Sequence, residues 1–118
     1  MQFEFATATR ILFGEGKAAE AGKWASGFGN RALLVTGGNA AHAAGVSGAL
    51  EAAGVLCARE RVAGEPTVAW LREAAGRVRA QGCDVVVACG GGSVIDGGKA
   101  IAAMLANPGD PLDYLEVI

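Results

Sequence analysis

Apolar positions follow two rhythms along this chain, and their alternation predicts its elements. Val85, Val86, Val87, Ala88 and Cys89 form a short unbroken apolar run rich in β-branched residues, the pattern of a strand buried on both faces of a parallel sheet. Ala32 to Thr36 reads the same way. Val55 to Val62 alternates weakly and carries Arg59, Glu60 and Arg61, which predicts a strand nearer an edge. Between these runs the period becomes helical. Ala18, Ala21, Ala25 and Phe28 share a face from Lys17 onward, with Gly27, Gly29 and Asn30 as stop signals. Val46, Leu50 and Ala53 face inward over Val46 to Ala53, with Gly54 behind them as a C-cap. Thr67 caps a helix striped by Val68, Leu71, Ala75 and Val78, with Arg72, Glu73, Arg77 and Arg79 toward solvent. Near the start, Phe3 to Phe5 and Arg10 to Phe13 read as a β-hairpin. The chain closes on a turn, Asn107-Pro108-Gly109-Asp110-Pro111, and an amphipathic tail from Leu112 to Ile118. The order βαβαβα predicts an α/β fold, a doubly wound, mainly parallel sheet with helices on both faces and an N-terminal β-hairpin.

The chemistry concentrates after the valine strand. Gly90, Gly91 and Gly92 follow Cys89, and without side chains they let a ligand lie directly against the main chain. Ser93 with Asp96 makes a Ser-x-x-Asp capping pattern, so a helix is expected to start at Ser93. Its stripe is Val94, Ile101 and Leu105, with Ile95 and Ala102 beside them, and Gly97 and Gly98 let it approach the sheet closely. Unbonded first-turn amides and the positive end of the helix dipole make this a place for an anion, with a nucleotide phosphate the obvious candidate. Two familiar phosphate motifs fail. A P-loop needs glycine where Ser93 stands and Ser or Thr where Ala100 stands. The dinucleotide fingerprint needs glycine where Ile95 stands, and an acid about 20 residues on that is missing.

The run Gly90-Gly91-Gly92-Ser93 with Asp96 and Lys99 resembles instead the Gly-Gly-Gly-Ser-x-x-Asp-x-x-Lys motif of the iron-containing alcohol dehydrogenase family, which uses NAD(P) and a divalent metal. Further pieces in the same order extend the resemblance: Ile11-Leu12-Phe13-Gly14-Glu15-Gly16, Leu34-Val35-Thr36-Gly37, Glu65-Pro66-Thr67, and Asn107 to Leu115. It implies a Rossmann-like domain in which Gly91, Gly92 and Ser93 bind the cofactor and Asp96 orders the loop or reaches the nicotinamide ribose. It also implies that Glu65 lies beside the nicotinamide half. Read from the residues alone, Glu65 is an exposed acid before a helix-entry proline, and Asp96 is a capping residue one turn from Lys99, with an ordinary i,i+3 ion pair. Gly37 reads as a turn glycine; in many members of the family an Asp stands there and accepts hydrogen bonds from the adenosine ribose. Its replacement removes a charge that would repel a 2′-phosphate, so NADP is as acceptable as NAD.

Composition narrows the alternatives. The 118 residues suit one domain with a sizeable core; 52% are hydrophobic, 19 are glycine and the net charge is −2. No basic face points to nucleic acid, no apolar segment points to a membrane, and Met1 to Phe5 lacks the apolar run of a secretory signal. Cys57, Cys83 and Cys89 form no Cys-x-x-Cys pair, so core thiols in a reducing cytoplasm are expected. His42 is the one histidine, and lacking further donors at ligand spacing it reads as a surface or capping residue, with neither a metal ligand nor a catalytic residue assigned in the chain.

The resemblance implies that residues 1–118 are the leading, partial NAD(P)-binding α/β domain of a larger dehydrogenase, cut before the helical domain that holds iron or zinc. The whole would pass a hydride between a small alcohol or carbonyl compound and the nicotinamide and could assemble as a homo-oligomer, while the chain alone would be inactive. An isolated doubly wound sheet stopped there leaves an edge uncovered, so self-association or marginal stability is expected. Glycerol dehydrogenases and dehydroquinate synthases share a glycine-rich turn and give a close alternative; a non-catalytic α/β module with a structural turn gives a distant one.

Overall fold

The computed structural model describes residues 2–3, 21–27, 29–38, 40–106 and 115–116. The elements are β1 (Gln2–Phe3), α1 (Ala21–Ser26), β2 (Ala32–Thr36), a 3₁₀ turn (Ala40–Ala43), α2 (Ala44–Ala52), β3 (Leu56–Arg61), α3 (Val68–Ala80), β4 (Val85–Cys89), α4 (Gly92–Ala106) and β5 (Leu115–Glu116). The second strand of the expected hairpin and the turn at 107–111 lie outside the described residues. Gln2–Phe3 pairs antiparallel with Leu115–Glu116.

β3, β2 and β4 form a parallel sheet in that order, with Thr36 opposite Arg61 on one side and Cys89 on the other. β2 is therefore central, and its first four residues are buried, which is why its sequence is an unbroken apolar run. Successive side chains alternate between two cores. Leu33 and Val35 of β2 and Val86 and Ala88 of β4 pack with Leu71, Val78, Ile101 and Met104 of α3 and α4. Ala32, Leu34 and Val85 pack on the opposite face with Ala21, Val46 and Leu50 of α1 and α2. Helices thus cover both faces, as the alternating periods predict. No described helix is long and apolar enough to cross a membrane.

Two helix-to-strand connections are built alike. After α2, the Gly54 amide bonds to Glu51 O at 3.0 Å and Val55 to Leu50 O at 3.1 Å; after α3, Gly82 bonds to Arg79 O at 3.0 Å and Cys83 to Val78 O at 3.4 Å. Gly54 and Gly82 sit at φ of 71° and 72°, the left-handed conformation this helix ending requires. The Thr67 hydroxyl caps α3 by accepting from the Trp70 amide at 3.0 Å.

The start of α4 corrects the sequence reading. The Gly91 carbonyl accepts the first intrahelical bond, from the Ile95 amide at 3.0 Å, so Gly91 rather than Ser93 is the cap residue and the helix begins at Gly92. Ser93 falls inside the first turn, too far along to bond its amides from outside, and Asp96 completes no capping box. Nor do Asp96 and Lys99 form an ion pair among the described residues; both are exposed, where such a pair gains little over hydration.

Candidate functional site

Because β2, β3 and β4 run parallel, the segments that follow them, 37–38, 62–66 and 90–92, emerge at one edge of the sheet. Open α/β sheets hold ligands at this edge. Val94 joins two of the segments. A Cβ built on Gly90 would lie 2.7 Å from Val94 Cγ2, and one built on Gly37 would lie 3.0 Å from the same atom. The structure therefore brings Gly37 beside the Gly90–Ser93 turn, and at Gly90 the protein's own packing requires the missing side chain. α4 also reaches the third segment: a Cβ on Gly97 would come within 2.8 Å of Val62 Cγ2 and 3.2 Å of Trp70 Cη2.

Gly91 and Gly92 differ from Gly90. All three are exposed, but a Cβ at Gly91 or Gly92 would meet nothing within 4 Å, so the space against this stretch of main chain is open. The amides of Gly92, Ser93 and Val94 precede the first i→i−4 bond of α4 and lie at the positive end of the helix dipole. An open glycine surface backed by unbonded amides is an arrangement suited to a phosphate-bearing group. Ser93 is half-buried, and Asp96 is exposed one turn further along. Glu65 is exposed on the β3–α3 segment, after Gly64 at φ 78°. Glu65 thus shares the sheet edge with the other sequence-derived candidates, Gly37, Gly91, Gly92, Ser93 and Asp96, without closing on the glycine turn.

Sequence reasoning passed over Arg61 as a site residue and used it only as a sign of an edge strand. It ends β3, and its Nη2 donates to Gly38 O at 3.4 Å, directly behind Gly37. The strand end is fixed, since Trp70 Nε1 donates to the Arg61 carbonyl at 3.0 Å. Only the register of β3 on β2 reveals this neighbour; no local motif carries it.

The remaining ionisable clusters lie elsewhere. At the opposite edge the Asp84 carboxylate accepts from Arg31 N at 2.9 Å and from Asn30 N at 3.1 Å. Desolvation works upward on this carboxyl, but the amides of Arg31, Asn30 and Asp84 itself and the Arg31 charge outweigh it and hold it below its ordinary value. Cys57, Cys83 and Cys89 are free; burial and then the neighbouring Cys57 push the Cys83 thiol up to about 12. No three His, Cys, Asp or Glu side chains among the described residues are placed to hold a metal, so the described residues do not fit one. The His42 side chain lies outside those described.

Residues 8–117 match the sequence profile of iron-containing alcohol dehydrogenases. NADH-dependent butanol dehydrogenase B of Clostridium acetobutylicum is 32% identical over 122 aligned residues, covering 98% of this chain and 31% of that protein. Among solved structures, sulfoacetaldehyde reductase from Bifidobacterium kashiwanohense in complex with NAD+ matches with a TM-score of 0.72 at 27% identity, over 97% of this chain and 31% of that one. NADH-dependent butanol dehydrogenase A of Thermotoga maritima matches with a TM-score of 0.66 at 28% identity, over 95% of this chain and 30% of that one. The chain thus spans 30–31% of the length of these relatives.

Proposed function

The chain belongs to the iron-containing alcohol dehydrogenase family, and on that footing we propose that residues 1–118 form part of the NAD(P)-binding domain of a metal-dependent dehydrogenase that moves a hydride between a small alcohol or carbonyl compound and the nicotinamide. Within that domain the amides of Gly92, Ser93 and Val94 receive the cofactor diphosphate, and Gly91 and Gly92 admit it against the main chain. Gly37 would border the adenosine ribose. Asp96 orders the turn or reaches the nicotinamide ribose, and Glu65 borders the nicotinamide half. The dinucleotide, when bound, supplies the hydride acceptor or donor; this chain's residues bind and orient it. In the whole protein iron or zinc would be held by a separate helical domain, and the chain by itself would turn over no substrate.

One observation carries this reading. Gly91 and Gly92 leave open space where a Cβ would stand, although neither has a positive φ or a close protein neighbour to demand glycine. A ligand pressed against the backbone accounts for both at once. The test is a titration of the intact protein carrying these residues with NADH and with NADPH, followed by cofactor fluorescence. Saturable binding of either supports the reading. Binding of neither leaves a non-catalytic α/β module.

A further inference from the structure

We propose that Arg61 makes this site select the phosphorylated cofactor, its guanidinium pairing with the 2′-phosphate on the adenosine ribose of NADP(H). The inference rests on the dinucleotide reading above and deepens it. Three arginines on or beside β3 have different occupations. Arg59 is spent on Glu51 at 2.8 Å and on Ser47 at 2.6 Å. Arg77 holds Glu60 in a fork of 2.7 and 3.0 Å. Arg61 has no carboxylate within 4.0 Å among the described residues; its guanidinium donates to the Gly38 carbonyl, at a long 3.4 Å. A guanidinium carries five N–H donors in a fixed fork, so most of its capacity faces the solvent at the ligand-holding edge of the sheet.

Position does the rest. Arg61 stands opposite Thr36 in the parallel register, two strands from β4, whose following turn would hold the diphosphate, with β2 between them. The Gly37–Gly38 segment between them contributes no carboxylate. In doubly wound folds an acid near the glycine turn accepts from the ribose diol, whereas an arginine nearby accommodates a 2′-phosphate. Arginine is suited to that role by its planar, bidentate match to phosphate oxygens. Because the Trp70 indole fixes the Arg61 carbonyl, the guanidinium leans from an anchored backbone, and less freedom is lost when it pairs.

The test is calorimetric binding of NADPH, NADH, 2′,5′-ADP and 5′-ADP to the intact protein and to its Arg61→Ala and Arg61→Glu variants. The unsubstituted protein is expected to bind NADPH more tightly than NADH, and 2′,5′-ADP more tightly than 5′-ADP. Arg61→Ala should weaken both 2′-phosphorylated ligands by about ten- to a hundredfold, as loss of a charge-assisted bond implies, and leave NADH and 5′-ADP within about twofold. Arg61→Glu should weaken them further. Equal losses for phosphorylated and unphosphorylated ligands, or none, overturn the assignment. If the unsubstituted protein binds NADH as well as NADPH, this inference fails while the dinucleotide reading stands; if it binds neither, both fail.

Discussion

Gly98 of α4 lies so close over Ala88 of β4 that a methyl group added to it would come within 2.8 Å of the alanine Cβ. Two effects oppose each other in Gly98→Ala. Helix propensity favours alanine by about 1 kcal/mol, but overpacking of a tight core costs about 1–3 kcal/mol. Ala88 is buried at 8% exposure and its Cβ is no flexible chain end, so the clash should win. Gly76 of α3 is a control from the same molecule, since it is exposed and a Cβ there meets nothing within 4 Å. In urea unfolding, Gly98→Ala should lower stability by up to about 2 kcal/mol, and Gly76→Ala should raise it by up to about 1 kcal/mol. Equal effects at the two sites would remove close approach as the reason for Gly98.

Asp84 joins three parts of the chain at the edge away from the site. Its carboxylate bonds the Asn30 and Arg31 amides, while Arg31 donates through Nε and Nη2 to Gln81 O at 3.1 and 2.8 Å. The folded carboxyl is held below its ordinary value, so the folded state binds fewer protons than the unfolded one as pH falls. Its stabilisation is present above the unfolded value and is lost as pH drops through the depressed folded value. Asp84→Ala should therefore cost about 1–2 kcal/mol at neutral pH, with the gap from the unsubstituted protein closing in acid. Thermal unfolding across pH measures it; a gap that persists unchanged in acid rules out the charge as its source.

Cys83 gives the opposite dependence. Its thiol titrates at about 12 in the fold against an ordinary 9.0, because burial and Cys57 disfavour the thiolate. Above 9.0 the unfolded chain loses this proton first, so the stabilisation is complete below that pH and is lost as pH rises toward about 12. Alkylation with iodoacetamide at mildly alkaline pH should spare Cys83 in the native protein and reach it in urea, as peptide mapping would report. Rapid native labelling would mean that the thiol is not held protonated.

Much of the architecture is readable from single segments because the forces that make it are local. The unbroken apolar runs of β2 and β4 reflect burial on both faces, and Thr67 and Gly54 announce their caps through chemistry that acts within one turn. The edge position of β3 follows from charges such as Arg59 and Glu60, which would be costly inside the sheet. What escapes the sequence depends on which of several local options the turn takes, or on contacts between strands. Ser93 carries a capping side chain, yet the helix begins at Gly92 because the Gly91 carbonyl takes the first bond. Gly90 and Gly91 look equivalent in a run of three, and only Val94 separates one that packing requires from one that it does not. Arg61 shows its neighbour only once β3 is in register with β2.

The proposed diphosphate seat at Gly91–Ser93 is tested most directly by Gly92→Asp, because fold and ligand should respond to it in opposite directions. A Cβ at Gly92 meets nothing within 4 Å, and a carboxylate in the first turn of α4 suits its dipole by about 0.3–1 kcal/mol, so the unfolding midpoint should hold or rise. The same charge would face a diphosphate bound on the proposed seat. Calorimetric titration of the intact variant with NADH and NADPH should show affinity for both reduced by at least about tenfold. Undiminished affinity in a folded Gly92→Asp protein would contradict the seat and leave the glycine turn a structural feature of the sheet.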